Sequence, residues 1–430
     1  MAHLTARSGY QQLVERLNRF PQGAPPSAAL YEILRLLFSE REAALVALLP
    51  IRPFTAAAAA RRWGVSEAEA MRTLDTLAGR AILLDIAHDG EQKYVLPPPM
   101  AGFFEFSMMR IREDVDQKRL AELFYQYLNV EEDFIRALFT RGETQLGRAL
   151  VEESAIPPEL ALEVMDYERA SRVVEDASCR AVGVCYCRHK MQHIGWACGQ
   201  PLDICMTFDN VASSLSRHGH AREVGVAECL DLLQQARDRR LVQFGDNVRR
   251  RVAFICNCCG CCCEAMIAQR RFGFLHPVHT TNFIPCVASE TCNGCGRCVT
   301  ACPVEAMTLV SANDPRFPKK KVAKLDEKIC LGCGVCVGTC QRASLRLECR
   351  GGRVITPLDA THRAVVMAIE RGTLQDLIFD NRALASHRAM AAVLGVILKL
   401  PPLKRALASR QLKSRYLEAL IEGRQRARRS

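Results

Sequence analysis

The chain has 430 residues, of which 49% are hydrophobic and 24% are charged, and its net charge is +11. This length suggests two or three domains, and the composition is that of a chain that buries a core, which excludes a disordered tail protein. No run of 18 consecutive apolar residues predicts a membrane-spanning helix, and the first twenty residues lack the hydrophobic stretch of a signal peptide. We therefore expect a cytoplasmic protein with reduced thiols.

Charge and cysteine are both distributed unevenly. Residues 381–430 contain 12 Lys or Arg and two Glu, so this segment carries +10 of the net charge and the rest of the chain is nearly neutral. All 22 cysteines lie between Cys179 and Cys349. Because a chain of this length without an export signal is not a disulfide scaffold, the cysteines indicate metal binding.

The N-terminal region predicts helices followed by a hairpin. Residues 27–50 carry apolar side chains at helical spacing, Thr55 and Ser66 are suited to cap two further helices, and Asp89-Gly90 is typical of a hairpin turn. This order resembles the winged-helix domain of transcription factors over residues 27–97. The resemblance implies a winged-helix-like domain, which we assign to residues 1–102.

The second helix of this unit does not have the charge of a DNA-reading helix. It carries Glu67, Glu69 and Asp75 against Arg72 alone, whereas a helix that meets phosphates is expected to be basic. We therefore expect protein contact here, because this charge pattern disfavours nucleic-acid binding. Residues 103–178 continue as amphipathic helices, a helical connector whose aromatic residues are typical of a core: Phe124, Tyr125, Tyr127, Phe134 and Phe139.

Residues 179–283 predict a small α/β module rich in cysteine. Eleven cysteines fall within residues 185–263, and a helical stripe at 225–240 is followed by two short strands. Nine of these thiols are candidates for a third metal site: Cys185, Cys187, Cys198, Cys205, Cys258, Cys259, Cys261, Cys262 and Cys263. The spacing is open to a third iron–sulfur cluster, to zinc or to redox-active thiols without metal.

Four further cysteines and two histidines of this region are assigned other roles. Cys179, Cys229, Cys286 and Cys349 are expected to pack or to lie near the ligands. His189 and His193 are four residues apart on a predicted helix, and we expect them to be solvated rather than to bind metal.

The sharpest chemical signal is a tandem repeat with a 38-residue offset. CNGCGRCVTACP and CLGCGVCVGTCQ both space four cysteines as C-x2-C-x2-C-x3-C. Glycines within each run allow a tight loop that aims backbone N–H groups at sulfur. Zinc motifs supply their cysteines as separated pairs, so this spacing favours two 4Fe–4S clusters over structural zinc.

These runs resemble the bacterial two-cluster 4Fe–4S ferredoxin domain over residues 284–349. In that family the fourth cysteine of each run ligates the other cluster. The resemblance implies that Cys292, Cys295, Cys298 and Cys340 hold one cluster, and that Cys330, Cys333, Cys336 and Cys302 hold the other. Gln341 departs from the family, which has proline there. The wider pattern of CxCR, NCCGCCC and ferredoxin motifs resembles a family of iron–sulfur proteins of unsettled function over residues 180–349.

The last segment, 350–430, predicts a helical basic tail. An apolar run is broken by Pro401 and Pro402 and followed by a basic amphipathic helix. Such a helix is suited to cover the core or dock on an acidic partner, with peripheral contact to an anionic membrane as an alternative.

The sequence therefore predicts an α+β protein that relays single electrons between partner redox proteins, with two 4Fe–4S clusters and a third metal centre. It contains no phosphate-binding loop and no dinucleotide-binding glycine motif. Two other functions stay open. One is a redox-sensing winged-helix regulator of transcription. The other is an oxidoreductase subunit with catalysis at the upstream cysteines.

Overall fold

A computed structural model describes residues 7–379, except Asp89, Thr140, Arg353 and Ile355, together with Met390. The described chain mixes helices with several small antiparallel sheets, so the α+β class is confirmed. Most of the predicted basic tail, including the helix after Pro402, lies outside the described residues. No helix in the described part of the chain is long and apolar enough to cross a membrane.

The N-terminal region has the predicted order of helices and hairpin. Its elements are α1 (Gly9–Leu17), α2 (Ala28–Leu37), α3 (Glu40–Ala47), α4 (Ala56–Trp63), α5 (Glu67–Gly79), β1 (Leu84–His88) and β2 (Glu91–Val95). Thr55 caps α4 by accepting a hydrogen bond from the Ala58 N–H, and Gly64 ends that helix in the left-handed conformation. Ser66 caps α5 in the same way. The assignment to the winged-helix class stays a prediction.

A second group of helices packs an aromatic core against this region. It comprises α6 (Phe104–Phe106), α7 (Gln117–Tyr125) and α8 (Asp133–Phe139). The next helix, α9 (Ala170–Asp176), lies in a separate core with Val182 and Met206. Phe124, Tyr127, Phe134 and Phe139 are buried as predicted. Tyr125 is only half-buried, and its ring packs edge-on against the exposed Trp196 with the centroids 5.1 Å apart.

The cysteine-rich module is built on a six-stranded antiparallel sheet. Its strands are β3 (Gly147–Ala149), β4 (Arg180–Val184), β5 (Asp203–Phe208), β6 (Arg222–Glu223), β7 (Val242–Asp246) and β8 (Phe254–Cys258), in the order β3-β7-β8-β5-β4-β6. Four helices belong to it: α10 (Tyr186–His193), α11 (Asp209–Arg217), α12 (Val226–Asp238) and α13 (Glu264–Phe272). The predicted helix at 225–240 and the two strands after it are confirmed.

The repeat region consists of two antiparallel strand pairs and two short helices. These elements are β9 (Phe283–Val287), α14 (Arg297–Ala301), β10 (Met307–Ser311), β11 (Lys321–Leu325), α15 (Val335–Gly338) and β12 (Leu345–Cys349). β9 pairs with β12 and β10 with β11. The described chain then continues with α16 (Ala360–Arg371) and α17 (Leu374–Ile378).

Candidate metal centres

The two repeat loops have matching backbones. In each, a glycine-rich loop carries the first two cysteines, a short helix carries the third, and the fourth follows that helix. All four loop glycines have positive φ, between +67° and +89°: Gly294, Gly296, Gly332 and Gly334. At Gly332 a side chain is also excluded by space, because a Cβ atom would lie 2.0 Å from the Phe283 carbonyl oxygen.

Backbone N–H groups point at the sulfurs, as the loop prediction requires. The Ala306 N–H donates to Cys302 Sγ at 3.2 Å, and the Gly332 N–H donates to Cys330 Sγ at 3.3 Å. The Ala323 N–H approaches Cys292 Sγ at 3.5 Å across the strand pair. Such N–H donors stabilise thiolate and shift the potential of a cluster bound there.

The thiols of both runs pack on one apolar core. Cys298 and Cys336 are buried in it with Met307, Ala323 and Leu345. Five of the predicted ligands, with apolar neighbours, lie against or within it: Cys292, Cys298, Cys302, Cys336 and Cys340. The side chains predicted to exclude water are all buried or half-buried: Val299, Met307, Leu309, Val335 and Val337.

The fourth cysteine of the first run lies with the second run. The Cys302 thiolate raises the pKa of Cys330, Cys333 and Cys336, after the larger effect of burial on each. Cys298 instead has Cys292 and Cys295 as its thiol neighbours. Cys336 has Cys298 as a neighbour too, so the two runs are close together and the crossed ligation stays a prediction.

The donor set fits 4Fe–4S clusters chemically. Burial raises the pKa of the Cys330 thiol to about 11, so this thiol is protonated at neutral pH unless a cation is bound to it. Iron would supply that positive charge and hold the sulfur as thiolate. The two sites differ in exposure, because Cys295 is exposed whereas Cys330 and Cys336 are buried.

The upstream cysteines divide into two groups. The first, which we call the compact group, consists of Cys198, Cys259, Cys261 and Cys262. Cys198 Sγ lies 3.6 Å from Cys259 Sγ and 3.7 Å from Cys262 Sγ, and Cys261 Sγ lies 3.7 Å from Cys262 Sγ. Among the residues that the structure describes, this is the one group in which three or more Cys, His or carboxylate ligand atoms all lie within 4.8 Å of one another.

The second group, which we call the thiol ring, contains six cysteines, each of which has two thiol neighbours within the group. In order around the ring they are Cys185, Cys187, Cys263, Cys258, Cys256 and Cys205, which returns to Cys185. The bond from Cys263 Sγ to Cys258 Sγ is 3.2 Å long. Hydrogen bonds from two neighbours lower the pKa of alternate ring thiols, namely Cys185, Cys263 and Cys256.

Sheet geometry explains the ring. Cys256 and Cys258 are two residues apart on β8 and face the same side, while Cys205 lies on the neighbouring strand β5. Cys185 and Cys187 follow β4, the next strand in the sheet. The sequence prediction did not include Cys256 among the ligands, although strand alternation could have paired it with Cys258.

Arg188 lies between the two groups with almost no access to solvent. It is 1% exposed, and its guanidinium donates to the carbonyls of Pro201 at 2.8 Å and Asn257 at 2.7 Å. Burial opposes its charge, but thiolates of both groups, Cys185 and Cys259 foremost, raise its pKa above the ordinary value. A buried cation of this kind requires negative charge nearby.

A buried ion pair joins the two helices that begin at ring cysteines. Lys190 on α10 contacts Glu264 on α13, and both side chains are at most 2% exposed. Lys190 Nζ also donates to the Asn129 amide oxygen at 2.6 Å, and the Asn129 amide donates to Glu264 Oε2 at 2.8 Å. The network fixes α10 against α13 and was not predicted from the sequence.

The remaining candidates lie outside both groups. His189 is buried rather than solvated, with Nδ1 at 2.7 Å from the Met108 carbonyl and Nε2 at 3.1 Å from His193 Nε2. Cys229 is buried against Met206, as predicted for a packing residue, whereas Cys286 and Cys349 are exposed.

The upstream module approaches the repeat region closely at residues that neighbour a cysteine of each. Gly260 lies between Cys259 and Cys261, and a Cβ atom there would lie 2.4 Å from the carbonyl oxygen of Pro303, the residue after Cys302. Only glycine permits this approach. The loop that carries three cysteines of the compact group therefore packs against the chain directly after Cys302.

One comparison with known proteins bears on this arrangement. A family model described as 4Fe-4S dicluster domain matches residues 291–343, which contain both cysteine runs. No curated protein and no solved structure gives a significant match. With the clustered thiols, the match identifies the chain as an iron–sulfur protein with a region similar to 4Fe-4S dicluster domains.

Proposed function

We propose that this protein relays single electrons between partner redox proteins through two 4Fe–4S clusters. Cys292, Cys295, Cys298 and Cys340 would hold the first cluster, and Cys330, Cys333, Cys336 and Cys302 the second. The observation that carries the proposal is the placement of five cysteines from two matching loops on one apolar core, with Cys302 near Cys330 of the second run.

The chain itself would bind the clusters, shield them from water and tune their reduction potentials. Met307 and Val335 are at most 4% exposed and exclude water from the thiols, and the N–H groups of Ala306 and Gly332 point at sulfur. Because Cys295 is exposed, the first cluster would lie nearest the surface and exchange electrons with a partner there.

The compact group supports a third metal centre with one tetrahedral ion. A zinc ion with Zn–S bonds of about 2.3 Å places its sulfurs about 3.8 Å apart. The sulfur distances of 3.6 and 3.7 Å match this edge. In a cubane each thiolate binds a different iron, so its sulfurs lie farther apart. Of the alternatives left open by the spacing, the geometry favours a single ion, with zinc first.

A basic loop beside the first cluster is suited to dock an acidic partner. Phe317 is 61% exposed between β10 and β11, and Arg316, Lys319 and Lys321 around it are exposed. Lys321 also lies against the first cysteine loop, where its carbonyl oxygen would be 2.4 Å from a Cβ on Gly294. An exposed aromatic ring among cations is typical of a docking site, and electron transfer there is expected to slow as salt rises.

The N-terminal helices are proposed as a protein contact rather than as a DNA reader. The outward face of α5 carries Glu67 and Asp75 with Arg72, and this charge disfavours phosphate. The regulatory function therefore ranks below electron transfer.

The test of the crossed ligation is a Cys302→Ser variant, with Cys286→Ser as its control because Cys286 is exposed in the same region. We expect Cys302→Ser to disturb the cluster of the second run, with loss of about four irons and of one reduced-cluster signal in electron paramagnetic resonance. The control is expected to keep both clusters. Full iron content and an unchanged spectrum in Cys302→Ser would contradict the assignment.

A further inference from the structure

The six cysteines of the thiol ring surround a small cavity. All six line it, together with apolar side chains that include Leu84, Phe106 and Met109. Its volume of about 80 Å³ is well below the roughly 300–1,000 Å³ of organic cofactor and substrate pockets. The cavity therefore suits a compact inorganic group better than an organic molecule.

The spacing of the ring excludes a single ion as its occupant. One tetrahedral or octahedral ion brings at least three of its ligands within about 4 Å of one another. Within the described residues, that condition is met by the compact group and not by any three members of the ring. Each ring thiol instead has two thiol neighbours, so the six sulfurs surround a space that only a group of several metal ions could bridge.

The cavity is lined by one cationic side chain, Arg188, and by one carboxyl group, Glu105, whose pKa is raised by burial and then by the neighbouring Cys256. Arg188 is 1% exposed, and its Nε–H has no hydrogen-bond partner although its other donors bind two carbonyls. Arg188 also lines the cavity. Because a buried donor without a partner is unfavourable, this N–H favours a hydrogen-bond acceptor beside Arg188. Sulfide or thiolate sulfur would supply it.

We propose that the thiol ring binds a polynuclear iron–sulfur cluster with more than the four cysteine ligands of a cubane. Soft thiolate ligands select zinc, copper(I) or iron–sulfur clusters, and a cluster with bridging sulfides spans the ring without requiring each thiol to reach the same ion. This centre is separate from the compact group and from the two repeat clusters. Its cysteines lie on β5 and β8, after β4, and at the beginnings of α10 and α13.

The test counts metal and sulfide in the full chain purified without oxygen. Native mass spectrometry and chemical analysis are expected to give iron and sulfide above the roughly eight of each that two cubanes contain. A Cys187→Ala/Cys256→Ala double variant, which opens the ring at two places, is expected to lose this surplus. It should keep zinc and the spectra of the repeat clusters. Cys229→Ala is the matched control, because Cys229 is buried in the same module outside both groups.

Four results would overturn the proposal. They are a wild-type chain with only about eight irons, surplus iron that persists in the double variant, zinc in place of the surplus iron, and ring thiols paired as disulfides. If the double variant does not fold, the iron content of the wild-type chain decides between the outcomes. Cys261→Ala is then a second variant, which should keep the surplus iron. A failure of the repeat clusters is recognised separately, by loss of the spectra that Cys302→Ser affects.

Discussion

Replacing Lys190 with methionine should destabilise the cysteine-rich module strongly. The Glu264 carboxylate, which is 2% exposed, would lose its cationic partner Lys190. The Asn129 amide would then be the one remaining donor from the present network. Breaking a buried pair by removing one partner costs about 3–5 kcal/mol. Because α10 and α13 begin at Cys185 and Cys263, the loss should loosen the thiol ring as well.

The assay is anaerobic urea unfolding followed by the far-ultraviolet signal and by cluster absorbance. With a slope of about 1–3 kcal/mol per molar urea, the midpoint should fall by at least about 1 M. Lys118→Met on the exposed face of α7 is the matched control and should change stability by less than about 0.5 kcal/mol. A double Lys190→Met/Glu264→Gln variant should recover most of the loss. A single variant as stable as the control, or a double variant no better than the single one, would refute the reasoning.

Three further predictions follow from individual contacts. Cys198→Ser should remove about one zinc per chain and leave iron unchanged, because a tetrahedral ion needs all four thiols; loss of iron instead would contradict a zinc site. Gly260→Ala should destabilise the chain by about 1–3 kcal/mol in thermal unfolding, because the new methyl would overlap Pro303. Gly225→Ala, where a Cβ meets no atom within 4 Å, is its control, and equal melting of the two variants would disprove the contact. Burial lowers the pKa of His220 to about 4, so the unfolded chain binds the proton first as pH falls below 6.5. Stability should therefore fall by about 2 kcal/mol between pH 7 and 5, and His220→Gln should lack this component; a variant with the same pH profile as wild type would contradict it.

Local signals in the sequence predicted the local structure well. Ser66, Thr55 and Gly64 mark helix ends by chemistry that acts within four residues, so the caps are visible without the fold. The repeat motif is equally local, because C-x2-C spacing and positive-φ glycines define the loop by themselves. The contact of Tyr125 with Trp196 could not be predicted in this way, since the two residues are far apart in the sequence.

The division of the upstream cysteines needed the three-dimensional structure. Cys198 joins Cys259 across 61 residues, and Cys185 joins Cys205 because β4 and β5 are neighbours in the sheet. From the sequence alone, the nine predicted ligand thiols therefore could not be divided into two groups. The ion pair of Lys190 and Glu264 could not be predicted from the sequence for the same reason, because the two side chains come together only when α10 packs against α13.

The central claim is tested most directly by metal analysis and electron paramagnetic resonance of the full chain, purified anaerobically and reduced with dithionite. The account predicts brown protein, at least about eight irons with matching sulfide, and the interacting signals of two reduced 4Fe–4S clusters. Colourless protein that contains zinc instead of iron and gives no signal after reduction would contradict it.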